Sequence, residues 1–419
     1  MNTGQDSRAL IAGRGRTLNA FVEVLDPPED LDPAGPLGAT TVAVKDCFYD
    51  AGRIPTMGSR VHPPAWDGMA EVLLRLRAAG LDLVGYTNLH EWAIGGTSTV
   101  TATGPIRNPW DTSLVAGGSS GGSAAALAAG LVTAAVGTDT GGSIRIPSAC
   151  CGVVGLKPTQ GRVPTRGYVG DGGPTDQVGP MARSLSMTRR LFEVLIGEAV
   201  AEVKVGGLRI GIGRGHPFDN IHSDVGAAYE SAVATVTGLA STVDVEVPGW
   251  DEQWWANSVL FISHTGRQVA AEIDSRPEEF HPDALRVLEW GLSRPDALLE
   301  QMREVKVAAT RQWSSMFDDI DVLVTPTLPS LPPPIEDLQI RLPEDVSSAD
   351  AAFGRLCGPM NLTGVPCLSL PCAQVGPLTV SMSLTARAGR DDVVLALGRA
   401  FEDATDRAWV DRVAELIAE

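Results

Sequence analysis

The sequence predicts an α/β fold with a largely parallel mixed central sheet covered by helices on both faces, and three observations carry that prediction. Gly68 to Gly80 (GMAEVLLRLRAAG) sets Met69, Val72, Leu73, Leu76 and Ala79 on one helical face, stops at a glycine, and leads into the apolar LDLVGYTN of Leu81 to Asn88. The same order recurs in an alanine-rich helix from about Ser123 followed by LVTAAVGTDT. Alternation of this kind argues for strands paired in parallel through helical crossovers. Composition agrees, since 419 residues with 44% hydrophobic and 20% charged side chains can bury a sizeable core.

Along the chain, LRIGIGRG (Leu208 to Gly215) reads as a strand, and long helical patterns follow at Pro282 to Gly291 and Pro295 to Phe317. The second carries Leu298, Leu299, Met302, Val305 and Ala309 at helical spacing. Prolines in VLVTPTLPSLPPP break it, Val375 to Ala386 returns to strand-like residues, and a C-terminal helix is expected after them. No internal repeat and no Gly/Ser or charged linker interrupts the chain. One domain over 1–419 is the simplest organisation: a motif-bearing core at about 36–180, a variable helical portion at about 205–320, and a return to the sheet over 320–419.

The formal charge of −18 gives an acidic surface that repels polyanions, so no nucleic-acid partner is expected. The six cysteines lack metal-ligand spacing, and adjacent Cys150 and Cys151 suit a disulfide poorly; reduced thiols in a cytoplasmic protein are expected. The start, MNTGQDSRALIAGRGRTL, lacks the apolar run of a secretory signal. The most apolar stretch, Ala124 to Val136, is too short for a membrane span and reads as a buried helix followed by a buried strand.

Two glycine-serine clusters point to chemistry: AGGSSGGSAAALAAG (Ala116 to Gly130) and GTDTGGSIRIPS (Gly137 to Ser148). Glycine-rich turns can aim several backbone N–H groups into one cavity, to hold a phosphate or the oxyanion of acyl transfer. Neither cluster has the lysine of a phosphate-binding GxxxxGK[ST] loop, and Gly211-Ile-Gly213-Arg-Gly215 lacks dinucleotide-loop spacing. For acyl transfer Ser143 needs a base, yet none of the six histidines lies in a hydrolase motif. A lysine serves if burial keeps it neutral. The chain's lysines are Lys45, Lys157, Lys204 and Lys306. Lys204 and Lys306 read as solvated and Lys157, before a proline, as structural. Lys45, at the end of the apolar run TTVAVK, is the best candidate, against the plainer reading that it merely pairs with Asp46.

These segments, VAVKDCF (Val42 to Phe48), GGSSGGSAAALAAG (Gly117 to Gly130) and GTDTGGSIRIPSACCGVVGLKPTQGRVP (Gly137 to Pro164), resemble the amidase signature family of Ser–cis-Ser–Lys amide hydrolases. The resemblance resumes in DVLVTPTLPSLPPP and CGPMNLTGVPCLSLPC and so covers most of the chain. It implies the family's fold and a relay in which Ser143, the nucleophile, passes its proton to cis-Ser119 and on to neutral Lys45. It also implies an oxyanion hole from the N–H groups of Thr140, Gly141, Gly142 and Ser143, supported by Ser120, Thr138, Asp139 and Arg145, with Asp139 and Arg145 paired. The family's pocket loop falls on Trp92, Ala93, Ile94, Gly95, Gly96 and Thr97. Trp254, Trp255, Phe261, His264 and Arg267 are weaker pocket candidates, the tryptophan pair being better explained by core packing.

The chain departs from the family pattern in placing its lysine as early as position 45, in having Met187 where aspartate is frequent, and in PLTVSMSLTARAGR. Family-type dimer contacts are therefore in doubt, and a monomer or homodimer is expected. The expected function is a serine hydrolase that cleaves the C–N bond of a small amide, and also esters or carbamates, through an acyl-enzyme, with no cofactor and no metal. Two alternatives stand beside it: the A subunit of a glutamyl-tRNA(Gln) amidotransferase-like complex, and a catalytically silent binding protein on the same scaffold.

Overall fold

The computed structural model describes residues 4–28, 31, 35–38, 40–170 and 173–405. Its strands are β1 (Phe21–Val24), β2 (Thr41–Lys45), β3 (Asp82–Thr87), β4 (Ala134–Asp139), β5 (Val154–Lys157), β6 (Gln177–Ala182), β7 (Arg209–Gly213), β8 (Ser241–Val245), β9 (Val322–Pro326), β10 (Gln339–Arg341), β11 (Val346–Ser348), β12 (Cys367–Val375) and β13 (Leu378–Ala386). Its helices are α1 (Gly4–Ala12), α2 (Glu71–Ala78), α3 (Gly121–Ala128), α4 (Arg145–Cys151), α5 (Leu185–Ile196), α6 (Ser223–Leu239), α7 (Trp250–Gln268), α8 (Ala270–Ser275), α9 (Pro282–Leu292), α10 (Asp296–Asp319), α11 (Ala349–Leu362) and α12 (Asp391–Ala404). Eleven strands form one mixed sheet in the order β1-β3-β2-β4-β6-β5-β12-β13-β9-β7-β8, and β10 and β11 make a separate ribbon.

The central strands are buried on both faces, which is why they read as apolar runs without polar alternation. In β2, Val42 and Val44 join one apolar cluster while Ala43 joins the other; in β4, Ala134 and Val136 go one way and Ala135 the other. The first cluster is closed by α2, α5, α6 and α12, through residues such as Leu73, Leu191, Val236 and Leu397. The second is closed by α3, whose small side chains let it lie close to the sheet and which is buried along its whole length. Burying a leucine or valine in such a core contributes roughly 1.5–3 kcal/mol.

The parallel pairing expected from helix–strand alternation holds in two blocks, β3-β2-β4 and β9-β7-β8. Between them the pairing is antiparallel from β4 through β6, β5, β12 and β13 to β9. For β12 and β13 the physical reason is the connection: they are joined by Gly376 and Pro377 alone, a hairpin turn that leaves no room for a crossover helix. The portion at 205–320 contains the expected helices as α9 and α10, together with β7 and the edge strand β8, whose polar STVDV gives no apolar run to read. Among the described residues no helix is long and apolar enough to cross a membrane.

This topology positions the site. Because β2 and β4 are parallel neighbours, Val44 beside Val136, their C-terminal ends open onto the same edge. Lys45 at one end thus lies next to Thr138 at the other, in the place where open α/β sheets bind ligands.

Candidate active site

Lys45 is carried into the interior because β2 has no solvent face, and the side chain is fully buried. Its Nζ donates to Ser119 Oγ at 2.8 Å and to Thr138 Oγ1 at 2.8 Å. Burial disfavours the ammonium and pulls its pKa down to about 8, although Cys47, Asp139 and Asp176 act in the opposite direction. Asp46, the alternative partner weighed for Lys45, pairs instead with Arg53 at 2.7 Å. Among the other lysines, Lys204 is exposed, Lys157 is fully buried and donates to the Pro158 carbonyl at 3.1 Å, and Lys306 is half-buried. Lys306 was expected to be solvated, but its amine turns onto the Pro174 carbonyl, which covers part of it.

The turn before α3 presents Ser119. The Gly118–Ser119 peptide is cis. A Cβ on Gly118 would lie 2.7 Å from the Gly95 carbonyl oxygen, so only glycine fits there. Ser119 is fully buried, and its carbonyl accepts the His90 N–H at 3.1 Å, tying the turn to the segment that follows β3. The Ser120 N–H donates to the Ser143 carbonyl at 3.1 Å, and Ser120 Oγ donates to the Thr138 carbonyl at 3.2 Å. Both glycine-serine clusters are thereby stitched together.

The loop from β4 into α4 turns about Asp139. Its carboxylate accepts the N–H groups of Gly142 (2.9 Å), Ile144 (3.1 Å) and Arg145 (3.3 Å), and it pairs with the Arg145 guanidinium at 2.8 Å with both side chains fully buried. Burial alone would raise the Asp139 pKa, but Arg145 overrides it and holds the carboxyl well below the usual range. Asn361 of α11 completes the knot, accepting from Arg145 at 2.5 Å and donating to the Asp139 carbonyl at 2.9 Å. One expectation is corrected here. The Gly142 N–H is captured by Asp139, which leaves Thr140, Gly141 and Ser143 as the loop N–H groups with no protein acceptor among the described residues. Gly142 still has to be glycine, with φ at 126° and Ile146 Cδ1 2.6 Å from where a Cβ would stand.

Thr140 is fixed from two sides: its hydroxyl donates to Asp176 at 2.6 Å, and its carbonyl accepts from Asn257 of α7 at 3.1 Å. Neither Asp176, Asn257 nor Asn361 was singled out from the sequence. They come from distant segments and carry no local motif.

Above this floor opens a cleft of about 420 Å3 bordered by Gly141 and Ser143. Of the expected pocket loop, Ala93, Ile94, Gly95 and Gly96 line it, while Trp92 and Thr97 are buried behind. Left-handed backbone at Trp92 (φ 52°), Ala93 (φ 60°) and Ser98 (φ 58°) shapes that loop. His90 stays in its base, its Nδ1 accepting the Ser98 N–H at 3.2 Å, and burial lowers its pKa to about 3, so it is neutral. Trp254 and Trp255, for which core packing is the better expectation, line the opposite wall together with Phe261 and Trp290: Trp255 packs edge-on against Trp290 of α9 and Trp254 lies against Gly354 and Gly358 of α11, and both still border the cleft. His264 does not border the cleft, and Arg267 turns away to pair with Asp296 at 2.7 Å. The only charged side chains at the cleft, among the described residues, are Arg286 and Asp350. No cluster of described residues has the make-up of a metal site.

The family model described as Amidase matches residues 25–395. Among curated proteins, the A subunit of the glutamyl-tRNA(Gln) amidotransferase of Symbiobacterium thermophilum is 33% identical over 88% of this chain and 84% of its own length. That of Chloroflexus aggregans is 34% identical over 91% and 85%. Among solved structures, a protein described as an amidase superimposes with a TM-score of 0.90 at 30% identity, covering 97% of both chains.

Proposed function

The chain belongs to the amidase signature family, and from that premise we propose that it cleaves the C–N bond of a small amide by acyl transfer to Ser143. The observation that carries this reading is the 2.8 Å hydrogen bond from buried Lys45 to Ser119 Oγ, in a chain where burial brings the amine to about pH 8. A neutral Lys45 takes the Ser119 proton, Ser119 takes that of Ser143, and Ser143 Oγ attacks the carbonyl carbon. Negative charge gathers on the carbonyl oxygen, where the N–H groups of Thr140, Gly141 and Ser143 receive it; removing one such donor typically costs about 100- to 1000-fold in rate. The proton returns through Ser119 to the departing amine, and water then releases the acid by the same relay. Asp139, Arg145 and Asn361 hold the donors in place.

The apolar cleft walls favour an aryl or alkyl amide. A second reading has its own support. The curated relatives named above are amidotransferase A subunits, and those names favour such a role over a free-standing hydrolase. Arg286 and Asp350 at the cleft also offer opposite charges to a zwitterionic amide donor. The two readings share the acyl-enzyme and part at what the protein needs around it. Turnover by the purified chain against primary amides, anilides, esters, carbamates and ureas, with Ser143→Ala as the blank, supports the free hydrolase. Silence across that panel, with activity appearing only when partner subunits copurify, supports the second. If a reactive-serine probe left the chain unlabelled, both would give way to a silent scaffold.

A further inference from the structure

Asn257 borders the cleft beside Gly141 and Ser143, yet it is only 1% exposed. Its carboxamide has two ends with different fates. Nδ2 donates to the Thr140 carbonyl at 3.1 Å, and a Cβ on Gly141 would lie 3.4 Å from it, so the side chain rests directly on the oxyanion loop. Oδ1 is buried with no hydrogen-bond donor from the described residues. The orientation follows from the chemistry: exchanging the two ends would set Oδ1 against the Thr140 carbonyl oxygen, two acceptors face to face. A buried acceptor without a donor is costly, and in native proteins it calls for an explanation. Here the explanation is offered by position, on the cleft that the proposed nucleophile also borders and whose walls are mostly apolar.

We infer that Asn257 Oδ1 accepts an N–H of the bound amide, which makes Asn257 the residue that selects amides over esters. This rests on the amide-cleaving reading above. With the substrate carbonyl held by the N–H groups of the 140–143 loop, Asn257 reads the neighbouring nitrogen, and its Nδ2 bond to Thr140 keeps reader and oxyanion loop in register. An ester presents an oxygen where the site offers an acceptor, so Oδ1 stays unmet and two lone pairs oppose each other. Sites built around such a bond reject the analogue that lacks it far better than apolar pockets reject a change of size.

The test uses phenylacetamide and methyl phenylacetate, matched aryl compounds that differ at the leaving group. Replacing Asn257→Leu removes both ends of the carboxamide. Loss of the Nδ2 bond to Thr140 disturbs the loop and lowers kcat/KM for both compounds, whereas loss of Oδ1 falls on the amide alone. The expected result is an amide-to-ester ratio of kcat/KM about 10- to 100-fold below that of the native chain. An unchanged ratio would overturn the inference and leave Asn257 as a support for Thr140 only. A second measurement needs neither turnover nor a folded Asn257 variant: calorimetric binding of the two compounds to Ser143→Ala, where the amide is expected to bind about 10-fold tighter. Equal binding, or none by either compound, overturns it as well. Failure of the hydrolase reading would show separately, as a native chain that turns over neither compound while Ser143→Ala still prefers the amide.

Discussion

The ends of β2 and β5 each carry a fully buried lysine, and what separates them is what the amine meets. Burial lowers both pKa values, Lys45 to about 8 and Lys157 to about 7, with Arg145 adding its repulsion to Lys157. Lys45 donates to two hydroxyls, while Lys157 donates to the Pro158 carbonyl. A carbonyl oxygen has no proton to give up, so the β5 amine can be neutral without being a base. Desolvation makes a lysine neutral, and a neighbouring hydroxyl gives it work to do.

The largest effect expected lies downstream of the β2 lysine alone. Ser143→Ala should lower kcat by a factor on the order of 10^6, measured on whichever amide the panel identifies. Next comes the contrast itself: Lys45→Ala should slow acylation by about 10^2- to 10^4-fold. Lys157→Met should leave kcat/KM within about threefold, since it removes a charge-capable group that touches no reacting atom. A Lys157→Met enzyme as slow as Lys45→Ala would erase the distinction between the two strand ends.

Asp139 acts on both lysines and anchors the loop between them. Asp139→Asn strands the buried Arg145 guanidinium, and denaturant unfolding should register a loss of about 3–5 kcal/mol. The smallest effect, taken per pH unit, concerns Lys157. Between about 7 and 10.5 the unfolded chain holds a proton on this lysine that the folded chain does not. Stability therefore rises with pH across that window, and the penalty is fully present below it. Lys157→Met should flatten the rise by up to about 1.4 kcal/mol per pH unit. An identical pH slope in the two proteins would mean that Lys157 stays charged when folded.

The floor of the site was legible because its residues come in runs: the glycines around Ser119 and Ser143 and the apolar approach to Lys45 are local patterns with local causes. Much of the rest depends on distance along the chain. Asn361 reaches Arg145 across 216 residues, and Asn257 reaches Thr140 across 117. Nothing in GPMNLTG or WWANSVL marks either asparagine as a partner. Trp254 and Trp255 belong here too: large aromatic side chains favour core packing, and it takes Trp290 of α9 and Gly354 and Gly358 of α11, all distant in sequence, to place them on a cleft wall. In the sheet, helix–strand alternation revealed the parallel blocks, while the antiparallel middle is set by a two-residue hairpin and by pairings between strands far apart in sequence. The capture of the Gly142 N–H by Asp139 was hidden too, since spacing gives the number of available N–H groups and not their directions.

Whether a neutral Lys45 drives acylation through Ser119 is decided by the acylation rate as a function of pH in the native chain and in Lys45→Ala. The native rate should climb through about pH 8, where the amine loses its proton, and level off above it. In Lys45→Ala the rate should be low and that climb gone. A variant that acylates as fast as the native chain, with the same rise through pH 8, would contradict the claim and assign the titration to another group.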